Sequence, residues 1–325
     1  MAEKSKSLRF YDAQKLEKIN PETLRLWNKY KIDMTLRELS AGTIDGYLND
    51  LQQWWLFIYD NQGNRPVTEL GEDEITEFLY YCKSEGNNSR RMKRRMSSIA
   101  AFYKFLRKKK LIESNPMEFI DRPKKDTDVV TQTYLSLEQV AQMRRTLSDQ
   151  VGNAATPGKK HRALQMRTYA LFSLSTMARV NAVSSVRWEQ IDFEEKIVTE
   201  VLEKEGYLVD LFFNDETKDA LTDLKRYREE NGIDDGGYVF AGEKGKCITK
   251  GTLNKWCNDI GAMIDVPTLH PHDFRHSGAT ILKNLGMELE DISRLLNHKS
   301  TDVTSKFYIK FDPSKLRETK DKFCY

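Results

Sequence analysis

Thr268-Leu-His-Pro-His-Asp-Phe-Arg-His-Ser-Gly-Ala279 carries three of the chain's five histidines, and a fourth, His298, follows soon after. Within this stretch His272 and Arg275 stand three residues apart. On a helix that spacing puts an imidazole and a guanidinium on one face. Such a pair can contact a single phosphate, the arginine bringing a two-pronged donor and a permanent charge. The same pair on a partly buried helix could equally serve carboxylates, so the rest of the chain decides which reading holds.

Upstream, Arg162 to Ser175 is predicted as an apolar helix through Leu164, Met166, Tyr169, Ala170, Leu171 and Leu174, running into Ala178-Arg179-Val. Two β-type runs follow, Lys196 to Leu202 and Tyr207 to Phe213. The turn Glu203-Lys204-Glu-Gly206 between them predicts a hairpin with Lys204 near its tip. Downstream come Leu295-Leu-Asn-His298-Lys-Ser and Lys306-Phe-Tyr308, then a capped helix from Asp312-Pro313. Trp256, Cys257, His270 and His276 are read as structural.

The first part of the chain is different in character. Asn20-Pro21 opens one helix, Ser40 caps a second from Ala41 to about Tyr59, and a third runs from Glu72 to about Lys83. Their apolar stripes predict a helical bundle. A fourth helix, Arg90 to Lys110, carries ten Lys or Arg and no acid in 21 residues. Solvated faces normally mix signs, so Arg90, Arg91, Lys93, Arg94, Arg95, Lys104 and Arg107 are candidate contacts for nucleic-acid phosphates. Met92, Met96, Ile99, Phe102, Tyr103 and Leu106 give this helix a face to bury. Ser114 to Ile120 reads as a short helical turn, Asp121 to Asp128 as a linker, and Ser136 as the cap of a new helix.

Composition sets limits on the function. The chain has 325 residues with a net charge of +3, 31% charged, and no run approaching the ~18 apolar residues of a membrane span. Met1 to Ser7 leads into no apolar core, so no secretory signal is expected. The four cysteines are scattered without metal-ligand spacing and read as reduced thiols. A cytoplasmic, nucleoid-associated protein is the expectation. No acidic cluster attaches to the motifs, and Gly237 to Glu243 lacks the Lys-Ser/Thr of a phosphate-binding loop, so no metal and no cofactor is implied.

In this order the motifs resemble the tyrosine recombinases, the phage-integrase family: Arg179, Lys204, His272 with Arg275, His298 and Tyr308, behind a basic helical domain and an Asn115-Pro116 … Pro123-Lys124 junction. The resemblance spans about residues 15 to 312. It implies a mainly α fold with a small antiparallel β-sheet, in which a SAM-like core-binding domain and a catalytic domain form a C-shaped clamp on DNA. The implied divisions are a tail at 1–14, a core-binding domain at 15–123, a linker at 124–134 and a catalytic domain at 135–325. It also implies roles. Arg179 and Arg275 hold the phosphate oxygens, Lys204 protonates the leaving 5′ oxygen, and His272 and His298 orient the phosphate and handle the tyrosine proton. Tyr308 is the nucleophile that carries a 3′-phosphotyrosine.

The expected partners are a double-stranded DNA recombination site, three further copies in a tetramer joined through the C-terminal tail, and a DNA-bending or directionality factor. A phage or mobile-element integrase or transposase is the first role, and an Xer-like dimer resolvase the second. A non-catalytic DNA-binding protein on the same fold and a type IB topoisomerase, which shares the chemistry, remain competing readings. Two positions depart from the family pattern. Ala182 stands where an acid often follows the first arginine, so the support of Arg179 falls to another residue. Asn297 stands where glycine commonly precedes the second histidine.

Overall fold

The computed structural model describes residues 12–124, 134–203 and 206–297, and the chain divides into two compact units, Met1–Val130 and Thr131–Tyr325. In the first unit, α1 (Ala13–Leu16) precedes α2 (Pro21–Leu36), α3 (Ala41–Asn61), α4 (Glu72–Ser84) and α5 (Ser89–Lys108). The helix starts are set by side chains that take up the open backbone donors of the first turn. Asn20 accepts from the Glu22 and Thr23 amides, Ser40 from Thr43, and Asn88 from Arg91. The core is aromatic, with Trp27, Trp54, Trp55, Phe78, Phe102 and Tyr103 all buried and Trp27 meeting Trp55 edge-on at 5.9 Å. Every apolar position singled out on α5 faces this core, as its spacing requires. The expected helical turn at Ser114 to Ile120 is a single hydrogen-bonded turn, the Glu118 amide donating to Asn115 O at 2.9 Å, flanked by bends and not continued as a helix. There Asn115 Oδ1 accepts the Met117 amide at 3.0 Å, a local bond that competes with helix formation.

The second unit is built around α7 (Pro157–Thr176), which is buried along most of its length from Ala163 onward. α6 (Leu137–Gly152), α9 (Asp215–Glu230) and α11 (Pro271–Asn284) pack on it, while α8 (Val180–Ser185) leads away toward the sheet. α10 (Lys250–Met263) and α12 (Leu289–Leu295) complete the α-helices among the described residues. The sheet is antiparallel in the order β1 (Ile191–Asp192), β2 (Ile197–Leu202), β3 (Leu208–Phe212). The β2–β3 hairpin is the predicted one, and β1, with two residues, is too short to leave a sequence signal.

β2 does not alternate evenly. Val198 and Val201 are both buried although an odd step separates them, which a flat strand cannot achieve. A register shift between them, with Glu200 in the left-handed region at φ 56°, supplies the extra residue of a bulge. Beyond the bulge the inward positions are Val201 and Glu203, and Leu202 is left outside.

Gly278 decides how close α11 comes to the end of α7. A Cβ there would lie 2.4 Å from the Leu174 carbonyl oxygen and 2.7 Å from Met177 Cγ. We therefore expect Gly278→Ala to push α11 away, lowering unfolding free energy by roughly 1–3 kcal/mol in denaturant titrations. An unchanged midpoint would show that this contact relaxes freely.

Candidate active site

α7 ends at Met177, whose backbone is left-handed (φ 53°) and turns the chain sharply. Two residues later Arg179 occupies the N-cap position of α8, in extended conformation, so its side chain projects from a corner between two helices. Glu203 reaches it from the turn after β2, and the two side chains form an ion pair. The glutamate side chain is 3% exposed and the arginine 30%, so the acid is fixed while the guanidinium keeps access to solvent. The turn itself is closed by the Glu203 amide donating to Tyr207 O at 2.9 Å.

α11 supplies the other half. Pro271 starts the helix, and its N-cap His270 is clamped by Asp273, which accepts the His270 amide at 2.9 Å and its Nδ1 at 2.8 Å. That buried carboxylate pushes the His270 pKa up. His272 behaves oppositely. Partial desolvation, then the charges of Arg275, His270 and Arg179, push its pKa below the ordinary histidine value. That shift favours the neutral imidazole, the form that can accept a proton. In a proton NMR titration His272 should therefore take up its proton at lower pH than a solvent histidine, and His270 at higher pH. Coincident curves would contradict this electrostatic arrangement.

Arg275 is buried (3% exposed) and donates to two carbonyls, Met177 O at 2.7 Å and Leu296 O. These acceptors are the C-cap residues of α7 and α12, where helix dipoles place partial negative charge. Burial of the guanidinium is thereby offset, and three helices are tied at one point. Asn297, next in the chain, is left-handed at φ 50°. Asparagine adopts that conformation more readily than most residues, so the backbone demand at this position is met without glycine.

Arg179, Val180, Asn181, Asn254, His270, Pro271 and His272 line a cleft of about 340 Å³. Arg179 and His272 thus face the same space, with Arg275 close enough to act on His272 but outside the lining. Lys204, His298 and Tyr308 lie outside the described residues, as does the C-terminal tail expected to join protomers. His270 and Asn254 line the cleft although neither was expected to take part. His270 sits two residues before His272 on the same entry turn, a signal present in the sequence. Asn254 and Glu203 reach the site through tertiary folding alone.

The basic helix α5 requires a correction. Arg95 is 1% exposed, donating to Cys82 Sγ at 2.7 Å and to Gln53, so it is a core residue of the bundle and not a phosphate contact. Arg94 donates to the buried Asp50 on α3, and Arg107 pairs with Glu118 beyond the helix. The acids missing from α5 itself are partly supplied by its neighbours. Arg90 and Lys104 are exposed, and Arg91 and Lys93 half-buried.

The profile described as "Phage integrase family" matches residues 134–315, more than half of the chain, and the one described as "Phage integrase, N-terminal SAM-like domain" matches residues 27–110. The chain belongs to the phage integrase family. Members of this family, the tyrosine recombinases, are DNA strand-transferring enzymes. The chain is 25% identical over 301 residues to the tyrosine recombinase XerC of Pediococcus pentosaceus, covering 88% of this chain and 93% of that one. It is also 25% identical to the tyrosine recombinase XerD of Oceanobacillus iheyensis, covering 83% and 88%. Among solved structures, the Tn1549 transposon integrase in complex with circular intermediate DNA shares the fold with a TM-score of 0.66 at 18% identity, over 91% of this chain and 98% of that one. XerH site-specific recombinase bound to its palindromic difH substrate does so with a TM-score of 0.67 at 18% identity, over 87% and 80%. In this integrase-family chain, Arg179, His272 and Arg275 are the described members of the expected catalytic set.

Proposed function

We propose that the chain is a site-specific recombinase that cuts and rejoins DNA through a 3′-phosphotyrosine at Tyr308. The observation that carries this reading is the cleft that a partly exposed Arg179 and His272 line together, beside Arg275. A phosphodiester under attack gains negative charge on its non-bridging oxygens. Guanidinium groups stabilise that charge without changing protonation state. The phenolic oxygen of Tyr308 attacks phosphorus, the bond to the 5′ oxygen breaks, and Lys204 delivers the proton that the leaving oxygen needs. His272 and His298 take the tyrosine proton and orient the phosphate. The bond energy is kept in the phosphotyrosine, so a 5′ hydroxyl reverses the step without ATP.

A homotetramer on two duplexes, exchanging strands through a Holliday junction, is the assembly we infer, with the C-terminal tail as the link between protomers. For the biological role, integration or transposition of a mobile element and Xer-like dimer resolution both fit. The near full-length match to proteins named XerC and XerD favours resolution. The match to a transposon integrase of similar extent favours integration.

The test is to denature cells expressing the protein rapidly in detergent and sequence the DNA that stays bound to it. Discrete adducts at one short, roughly palindromic site are the expected result. Their position at the ends of an element or at a single chromosomal locus separates the two roles. Salt-sensitive binding without any adduct would make this a non-catalytic DNA-binding protein.

A further inference from the structure

We propose that Glu203 is the residue that positions Arg179 for the phosphate, an assignment that rests on the recombinase reading above. Arg179 sits at the very start of a six-residue helix, and α8 offers it no acid. Its third residue, Ala182, is fully buried and apolar. A guanidinium that must meet two phosphate oxygens loses effectiveness when it wanders. Glu203 restrains it from the other side of the site.

Two independent features put it there. The first is the ion pair itself, made by a carboxylate whose side chain is 3% exposed. A carboxylate is costly to bury unless a cation faces it, so this contact is built in and not a surface encounter. The second is the bulge in β2. Without the extra residue near Glu200, strict alternation from Val198 would put positions 200 and 202 inward and leave 203 facing solvent. With it, Glu203 follows Val201 on the buried face. The strand irregularity thus has a consequence at the arginine.

Glu203 also precedes Lys204 directly. Its backbone closes the turn, accepting from the Gly206 amide at 3.3 Å as well as donating to Tyr207. The carboxylate that orients the arginine therefore belongs to the residue immediately before the one proposed to protonate the leaving oxygen.

The experiment is a double-mutant cycle read as single-turnover adduct formation on a nicked DNA half-site, using the full chain, with DNA affinity and melting temperature measured on the same preparations. Glu203→Gln keeps the shape and removes the charge. It should slow adduct formation by about 10- to 100-fold, the range typical when a residue that orients a metal ligand is removed, with little change in DNA affinity. Glu203→Asp should recover part of the rate. In an Arg179→Lys background, where the fork is already gone, Glu203→Gln should have almost no further effect. Equal slowing in both backgrounds would make Glu203 a general structural residue and overturn the assignment. So would a faster Glu203→Gln enzyme, which would mean that the acid restrains Arg179 instead of aiming it. If Glu203→Gln melts early, Glu203→Asp in the two backgrounds carries the same cycle. A wild type that forms no adduct sinks the recombinase reading itself. A wild type that reacts, with Glu203→Gln reacting equally, sinks only the role of Glu203.

Discussion

Replacing Tyr308 with phenylalanine is expected to eliminate covalent protein–DNA adducts completely while leaving DNA affinity and its salt dependence unchanged. Phenylalanine keeps the ring and removes the one oxygen that can attack phosphorus, so no slower route through the same residue remains. Affinity comes from phosphate contacts along the duplex, to which one hydroxyl adds little. The chain has 14 tyrosines, and the assignment of Tyr308 depends on its place in the motif order. The measurement is adduct recovery from detergent-denatured reactions, with a binding titration at two salt concentrations alongside. Adducts that survive the substitution would place the nucleophile on another tyrosine.

Arg275→Ala is the second large effect, and it should act on chemistry and stability together. On the chemical side, losing one donor to the developing oxyanion typically costs about 10²–10³ in rate. On the structural side, the Met177 and Leu296 carbonyls lose a charged donor in a buried place, a loss of about 3 kcal/mol or more. Denaturant unfolding and single-turnover adduct formation on the folded protein separate the two parts. Arg275→Lys keeps the charge but cannot reach both carbonyls at once, so it should fall between wild type and alanine in stability. A stable, fully active Arg275→Ala protein would contradict both roles. Gly278→Ala offers a useful contrast, because it disturbs the same α7–α11 contact without removing a charge.

Much of the architecture was written in local pattern. Asn20, Ser40 and Ser136 mark helix starts because a side-chain oxygen beside an apolar-periodic run meets the unbonded amides of the first turn. The hairpin was legible because two runs of β-branched, aromatic and other apolar residues flank a turn containing glycine. His272 and Arg275 could be paired on paper because the helix period itself brings positions three apart together. For the same reason the motif order along the chain carried the family assignment.

Burial and partner choice were a different matter, because both depend on residues far apart in sequence. α5 contains no acid, yet Asp50 and Glu118 meet its arginines and the bundle core takes in Arg95, which the run of charges had placed on the surface. Nothing near Arg179 in sequence supplies a carboxylate. Glu203, which pairs with it, comes 24 residues later, aimed by a one-residue bulge that no alternation rule foretells. The sequence by itself determined which groups exist and which local elements carry them, since caps, turns and periods act over a few residues. Tertiary structure alone decided which charges are buried, paired and aimed, because desolvation and ion pairing are set by whatever packs alongside.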